Sequence, residues 1–88
     1  MYVPLDSISP NELSECQTLA EGVDGAGRAV RLTRIGPGYV RAGAFVRWTD
    51  GYYAVAIDGD RLLQPVTIRY SLEREGEARE RFNRITLK

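Results

Sequence analysis

Histidine is absent from this chain, and cysteine, lysine, methionine and tryptophan occur once each. Without histidine, the commonest general base and the commonest metal ligand are both missing. Serine–histidine and cysteine–histidine catalysis are therefore excluded. A single cysteine cannot form an internal disulfide, which fits a reducing cytoplasm. No apolar run approaches the ~20 residues of a membrane span. The start, Met1-Tyr2-Val3-Pro4-Leu5-Asp6, lacks the basic and apolar stretches of a signal peptide. These absences together lead us to expect a cytoplasmic protein with no membrane contact. Net charge is also absent, with twelve basic and twelve acidic residues, which argues against bulk electrostatic binding to nucleic acid.

What is present is arginine, which accounts for eleven of the twelve basic residues. It alternates with apolar residues in Val30-Arg31-Leu32, Val46-Arg47-Trp48 and Ile68-Arg69-Tyr70. Successive strand residues point to opposite faces, so these triplets describe a sheet with one apolar and one arginine-bearing face. The charge is unevenly placed. Residues 1–27 hold five acids and no base, whereas residues 28–69 hold seven arginines against three aspartates. At 88 residues the chain has room for one domain, residues 1–88.

Ser9-Pro10-Asn11-Glu12 reads as a capping box with proline at the first helical position, flanked by Ile8 and Leu13 as a hydrophobic staple. Leu13, Cys16 and Ala20 follow at helical spacing with Leu19 beside them, and Gly22 is a natural stop. The spacing predicts an amphipathic helix over about 9–21, with Cys16 on its packing stripe. Residues 23–27 read as a loop and 28–35 as a strand. Gly36-Pro37-Gly38 suits a type II turn, and 39–43 a short edge strand or a bend.

Asp50-Gly51 lies between two apolar runs, 44–49 and 52–57, and is the sequence preferred by a tight hairpin turn. That hairpin would set Trp48 against Tyr53 and Val46 against Val55 on a buried face. Phe45, Arg47 and Tyr52 would then share the opposite face. A strand over 66–72, a charge run over 73–81 of open conformation and a closing strand over 82–87 complete the sheet, about 28–87. The fold class expected is α+β: an N-terminal helix packed on a twisted antiparallel sheet of four or five strands, open or half-closed like a small barrel.

The remaining chemistry is sparse. Asp58-Gly59-Asp60 lacks the later ligands of a calcium loop, and turn chemistry accounts for it. Gly22, Gly25 and Gly27 follow a helix and precede a strand, the reverse of the dinucleotide-binding order. No cofactor or metal is expected, nor a catalytic site; a carboxylate–arginine arrangement of Asp58, Asp60 and Arg61 is the surviving enzymatic alternative. Exposed arginine beside aromatics is the composition of a protein-interface hot spot. The expected partner-binding residues are Arg31, Phe45, Arg47, Tyr52 and Arg69. The expected function is a small protein-binding module, an inhibitor or adaptor of the kind phages and mobile elements encode, which blocks a larger protein complex. Nucleic-acid binding by the same arginine and aromatic residues is the alternative. Exposed strand positions occupied by arginine merely for solubility are the bland counterpart. A homodimer through a strand edge or the Phe45–Tyr52 face is compatible with so small a sheet.

Overall fold

A computed structural model describes residues 2–60 and 63–87. Its central feature is one long hairpin. Strands β3 (Ala29–Ile35) and β6 (Tyr52–Ile57) pair antiparallel from Val30 opposite Ile57 to Ile35 opposite Tyr52. Strands β4 (Gly38–Ala42) and β5 (Phe45–Thr49) continue the same register, from Gly38 opposite Thr49 to Ala42 opposite Phe45. The chain reverses at Gly43-Ala44. Gly43 has φ 69°, and glycine with positive φ at the first central position defines the type II′ turn that matches strand twist. The ladder breaks where Gly36-Pro37 faces Asp50-Gly51, and there the hairpin divides between two sheets. Its base joins β2 (Cys16–Val23) and β7 (Val66–Ser71) in the order β2-β3-β6-β7. Its tip joins β1 (Tyr2–Pro4) in the order β1-β5-β4.

This arrangement corrects the hairpin expected at Asp50-Gly51. Phe45–Thr49 and Tyr52–Ile57 do not pair with each other; they belong to different sheets. Trp48 lies opposite Tyr39, and Tyr53 opposite Arg34 and Tyr70. The physical reason is parity. A two-residue turn at 50–51 would put Trp48 and Tyr53 on one face, whereas a chain passing straight through puts even and odd residues on opposite faces. Gly36-Pro37-Gly38 is likewise no strand-splaying turn; it lies within one leg of the hairpin.

The N-terminal helix is also overturned. The Glu12 side chain does reach back to the Ser9 N–H (3.2 Å), but the turn it stabilises is a single 3₁₀ turn, Pro10–Glu12. The chain then extends. The Ser14 N–H donates to the Tyr39 carbonyl (2.8 Å), and Glu15 accepts from the Gly36 N–H (2.9 Å). From Cys16 onward β2 pairs along β3, with a bulge between Thr18 and Ala20. A helix would leave that edge of β3 unpaired, and this tertiary demand outweighs a weak local propensity. Cys16 consequently lies exposed on a strand rather than packed.

The fold is mostly β, two antiparallel sheets with one C-terminal helix, α1 (Glu75–Thr86). The helix takes the place of the closing strand expected over 82–87. Ala78 and Phe82 are buried, and Ile85 continues their stripe at helical spacing. Its exposed face is held by the i,i+4 pairs Glu75–Arg79 (2.6 Å) and Glu80–Arg84, in the favourable order with the acid first. Arg74, just before the helix, pairs with Glu77 of its first turn. The helix lies on the face of the four-stranded sheet that presents Val30, Leu32, Tyr53, Val55, Ile57 and Tyr70. Gly22 lets it approach β2: a Cβ there would meet Thr86 Cγ2 at 3.0 Å and the Phe82 ring at 3.6 Å. The Tyr53 hydroxyl donates to Glu75 Oε1 (3.1 Å), tying the first helical turn to the central strand.

The loop between β2 and β3 is organised by Asp24, which is 9% exposed. Its Oδ1 accepts the N–H groups of Arg28 (2.8 Å) and Ala26 (2.9 Å), and its Oδ2 accepts from Arg28 Nε (2.8 Å).

Two outcomes follow from this packing. Phe82→Ala removes the largest helical side chain in the core and should cost about 3–5 kcal/mol, enough to unfold most of a domain of ordinary stability; circular dichroism melting checks it. The second concerns acid. The Asp24 carboxyl is held below its ordinary value chiefly by the Arg28 N–H, Glu75 by Arg79 and then Tyr53, and Glu77 by Arg74. A carboxylate lowered on folding stabilises above its unfolded pKa, and that stabilisation is lost as pH falls through the folded value. The melting temperature should therefore be level near neutrality and fall below about pH 4. Asp24→Asn should lower it at pH 7 and flatten the acid limb.

Candidate interaction surface

Alternation along the strands assigns every side chain to a face. On the four-stranded sheet, the face away from α1 presents Arg31 and Thr33 from β3, Tyr52, Ala54 and Ala56 from β6, and Thr67 and Arg69 from β7. Three of the five expected residues, Arg31, Tyr52 and Arg69, thus share one surface. The Arg69 guanidinium carbon stands 4.9 Å from the centre of the Tyr52 ring, a cation–π distance. Arg31 is already engaged by Glu21 (3.3 Å), both side chains exposed, a pair of small energetic worth. Between these residues Thr33 and Ala54 are buried, so the surface is a floor of small side chains bordered by two arginines and a half-buried tyrosine.

Phe45 and Arg47 lie elsewhere, on the three-stranded sheet, so the expected five-residue face does not exist. Across from them on β1 are Pro4 and Tyr2, with Tyr2 directly opposite Arg47. Val40, opposite Arg47 on β4, completes the patch. Tyr2 is 58% exposed and Phe45 49%. Arg47 forms no ion pair among the described residues. The other face of this sheet is partly covered. β1 lies on one edge, and Ser14 is bonded to β4 on the other, so residues 5–13 must cross one face between them. Val46 on the central strand is fully buried while Phe45 and Arg47 are exposed, which marks the crossed face as that of Val46.

Trp48 belongs to that covered face but stands at its margin, 53% exposed. Its ring meets Tyr39 edge-on at 5.3 Å, and its Nε1 donates to Asp50 Oδ1 (3.1 Å). Assigning it to the core was an error that followed directly from the misplaced turn. The signal that would have corrected it is Gly43-Ala44 between Tyr39-Val40-Arg41-Ala42 and Phe45-Val46-Arg47-Trp48, a shorter-range hairpin that Asp50-Gly51 overshadowed. Tyr2 was missed because nothing in a three-residue N-terminal strand announces its pairing.

A groove of about 240 Å³ runs between the two sheets beside β4, bordered by Leu13, Cys16, Ile35, Tyr39 and Arg41. Its walls are mostly apolar, and Cys16 is exposed at it. At Asp58-Gly59-Asp60, Asp60 Oδ1 accepts the Leu63 N–H (2.8 Å) and the Asp60 N–H donates to the Leu63 carbonyl (2.9 Å). That is turn chemistry. Arg61, the third member of the alternative enzymatic arrangement, lies outside the described residues. Among the described residues no three histidine, cysteine, aspartate or glutamate side chains gather as a metal site would require, and no helix is long and apolar enough to cross a membrane. No family model, curated protein or solved structure matches this chain.

Proposed function

We propose that this chain is a small, non-catalytic protein-binding module that acts by surface contact through the open face of its three-stranded sheet. The observation that carries the reading is Tyr2 and Phe45, each about half exposed, standing beside an arginine with no carboxylate partner among the described residues. Exposed aromatics grouped with arginine are costly to leave in water and are over-represented where interfaces concentrate their energy. The helix cannot cover them. Its 12 residues span about 18 Å and lie on the four-stranded sheet. An inhibitor or adaptor of the phage or mobile-element type, acting in the cytoplasm on a larger protein, fits such a projecting face.

Size sets the expected strength. Two strands of five residues and one of three make a face no larger than roughly 14 × 17 Å, well under the ~800 Å² per partner of a standard stable interface. The contact should be weak on this face alone and tight only where the partner also reaches Trp48 at the sheet margin. Phe45→Ala and Arg47→Ala should each weaken binding to the partner recovered from the native host about tenfold, or ~1.4 kcal/mol, with the melting temperature unchanged. Binding that persists through both substitutions while falling steeply with salt would instead indicate nucleic-acid binding by the Arg31, Tyr52 and Arg69 surface.

Trp48→Ala should leave the protein folded, since the ring is half in water. The single tryptophan makes this direct to check: its emission should resemble water-exposed indole and be quenched by iodide. Protected, blue-shifted emission would return Trp48 to the core and remove the sheet margin from the interface.

A further inference from the structure

Four strand edges border the two sheets, and three are guarded. β1 is three residues long and ends in Pro4. β4 is already engaged through the Tyr39 carbonyl by the Ser14 N–H. β2 carries the bulge between Thr18 and Ala20, which disrupts any regular ladder on that side. Among the described residues β7 has none of these devices. Its six residues pair with β6 in unbroken register from Val66 to Ser71, and Val66 is 42% exposed. Such an edge is a template for another strand.

We infer that β7 is the interface for a second copy of this chain, pairing antiparallel with its own counterpart across a two-fold axis at Ile68. The register is decided by parity and charge. Directly opposed residues must lie on the same face of the joined sheet, so odd can pair only with odd and even with even. An axis at Arg69 would set two arginines against each other, which is unfavourable. An axis at Ile68 sets Ile68 against Ile68 and Val66 against Tyr70 of the other copy, continuing the apolar helix-facing side and covering the exposed valine. On the far side it sets Thr67 opposite Arg69, which has no ion pair among the described residues.

The helical segment borders this edge at Tyr70. Arg74, Glu77, Glu80, Arg81 and Arg84 of the helical segment line a groove with Tyr70 of β7, and the Arg74 guanidinium carbon stands 5.4 Å from the Tyr70 ring centre. The contacting side is about 20 Å of strand by the 18 Å thickness of the molecule. That is less than a standard stable interface requires, so the dimer should be concentration-dependent.

The interface excludes Phe45 and Arg47, so it stands or falls separately from the partner face. Sedimentation equilibrium of the whole chain from 1 to 500 µM should show a monomer–dimer equilibrium. Thr67 is exposed in the single chain, so Thr67→Glu and Thr67→Lys should both stay folded by circular dichroism. Thr67→Glu, placing an acid opposite each Arg69, should tighten the dimer about tenfold, and Thr67→Lys should weaken it about tenfold. Ser71→Cys in a Cys16→Ser background, spin-labelled, should give a distance near 20 Å between copies, since residue 71 lies three residues from the axis in each strand. A strict monomer throughout, an equal response to glutamate and lysine, or a spin-label distance near 13 Å, as an axis at Arg69 would give, overturns the inference.

Discussion

The type II′ turn at Gly43-Ala44 is the constraint on which the rest depends. It determines that residues 29–57 form one hairpin in a single register, and register assigns every side chain to a face. Val30, Leu32, Tyr53, Val55 and Ile57 are thereby collected on one side, where α1 covers them. Phe45 and Arg47 fall on that same side by alternation but beyond the reach of the helix. The same turn that builds the core therefore also leaves an aromatic–arginine patch uncovered. A tighter domain would have needed a longer helix or a shorter hairpin.

Gly36-Pro37 opposite Asp50-Gly51 is the second device. Proline contributes no N–H, and Gly51 at φ 97° is packed within 3.0 Å, at a notional Cβ, of the Ile35 carbonyl and the Leu72 side chain. No larger residue fits there. The ladder breaks at this point without losing register, so the tip of the hairpin becomes a separate sheet with a different neighbour on each side. The crossing segment 5–13 then seals the Val46 face. Its capping box, real but limited to one turn, directs the chain into that crossing and does not start a helix.

Much of the β content was legible because alternation is local: the strands at 29–35, 45–49, 52–57 and 66–71 follow their apolar period. Three elements were not. The N-terminal segment carries an authentic capping signal, but β-pairing along β3 competes for it and wins through contacts more than ten residues away. The C-terminal helix was hidden by Gly76 and by a stripe of only three apolar residues, although Glu75→Arg79 and Glu80→Arg84 were there as spaced pairs. The hairpin was misplaced because two turn signals seven residues apart, Gly43-Ala44 and Asp50-Gly51, both satisfy local chemistry, and the choice between them is made by the whole ladder.

The candidate site was half legible for the same reason. Residue type pointed to arginine and aromatic side chains, and the strand period separated the arginine face from the apolar one. Which of them stand together required the turn. Tyr52 and Arg69 did prove to be neighbours, 4.9 Å apart, because β6 and β7 pair regularly. Arg47 acquired Tyr2, a neighbour 45 positions away in sequence, and lost Tyr52 to the other sheet. In a protein this small, surface composition is readable from the chain, but surface geometry is a property of its turns.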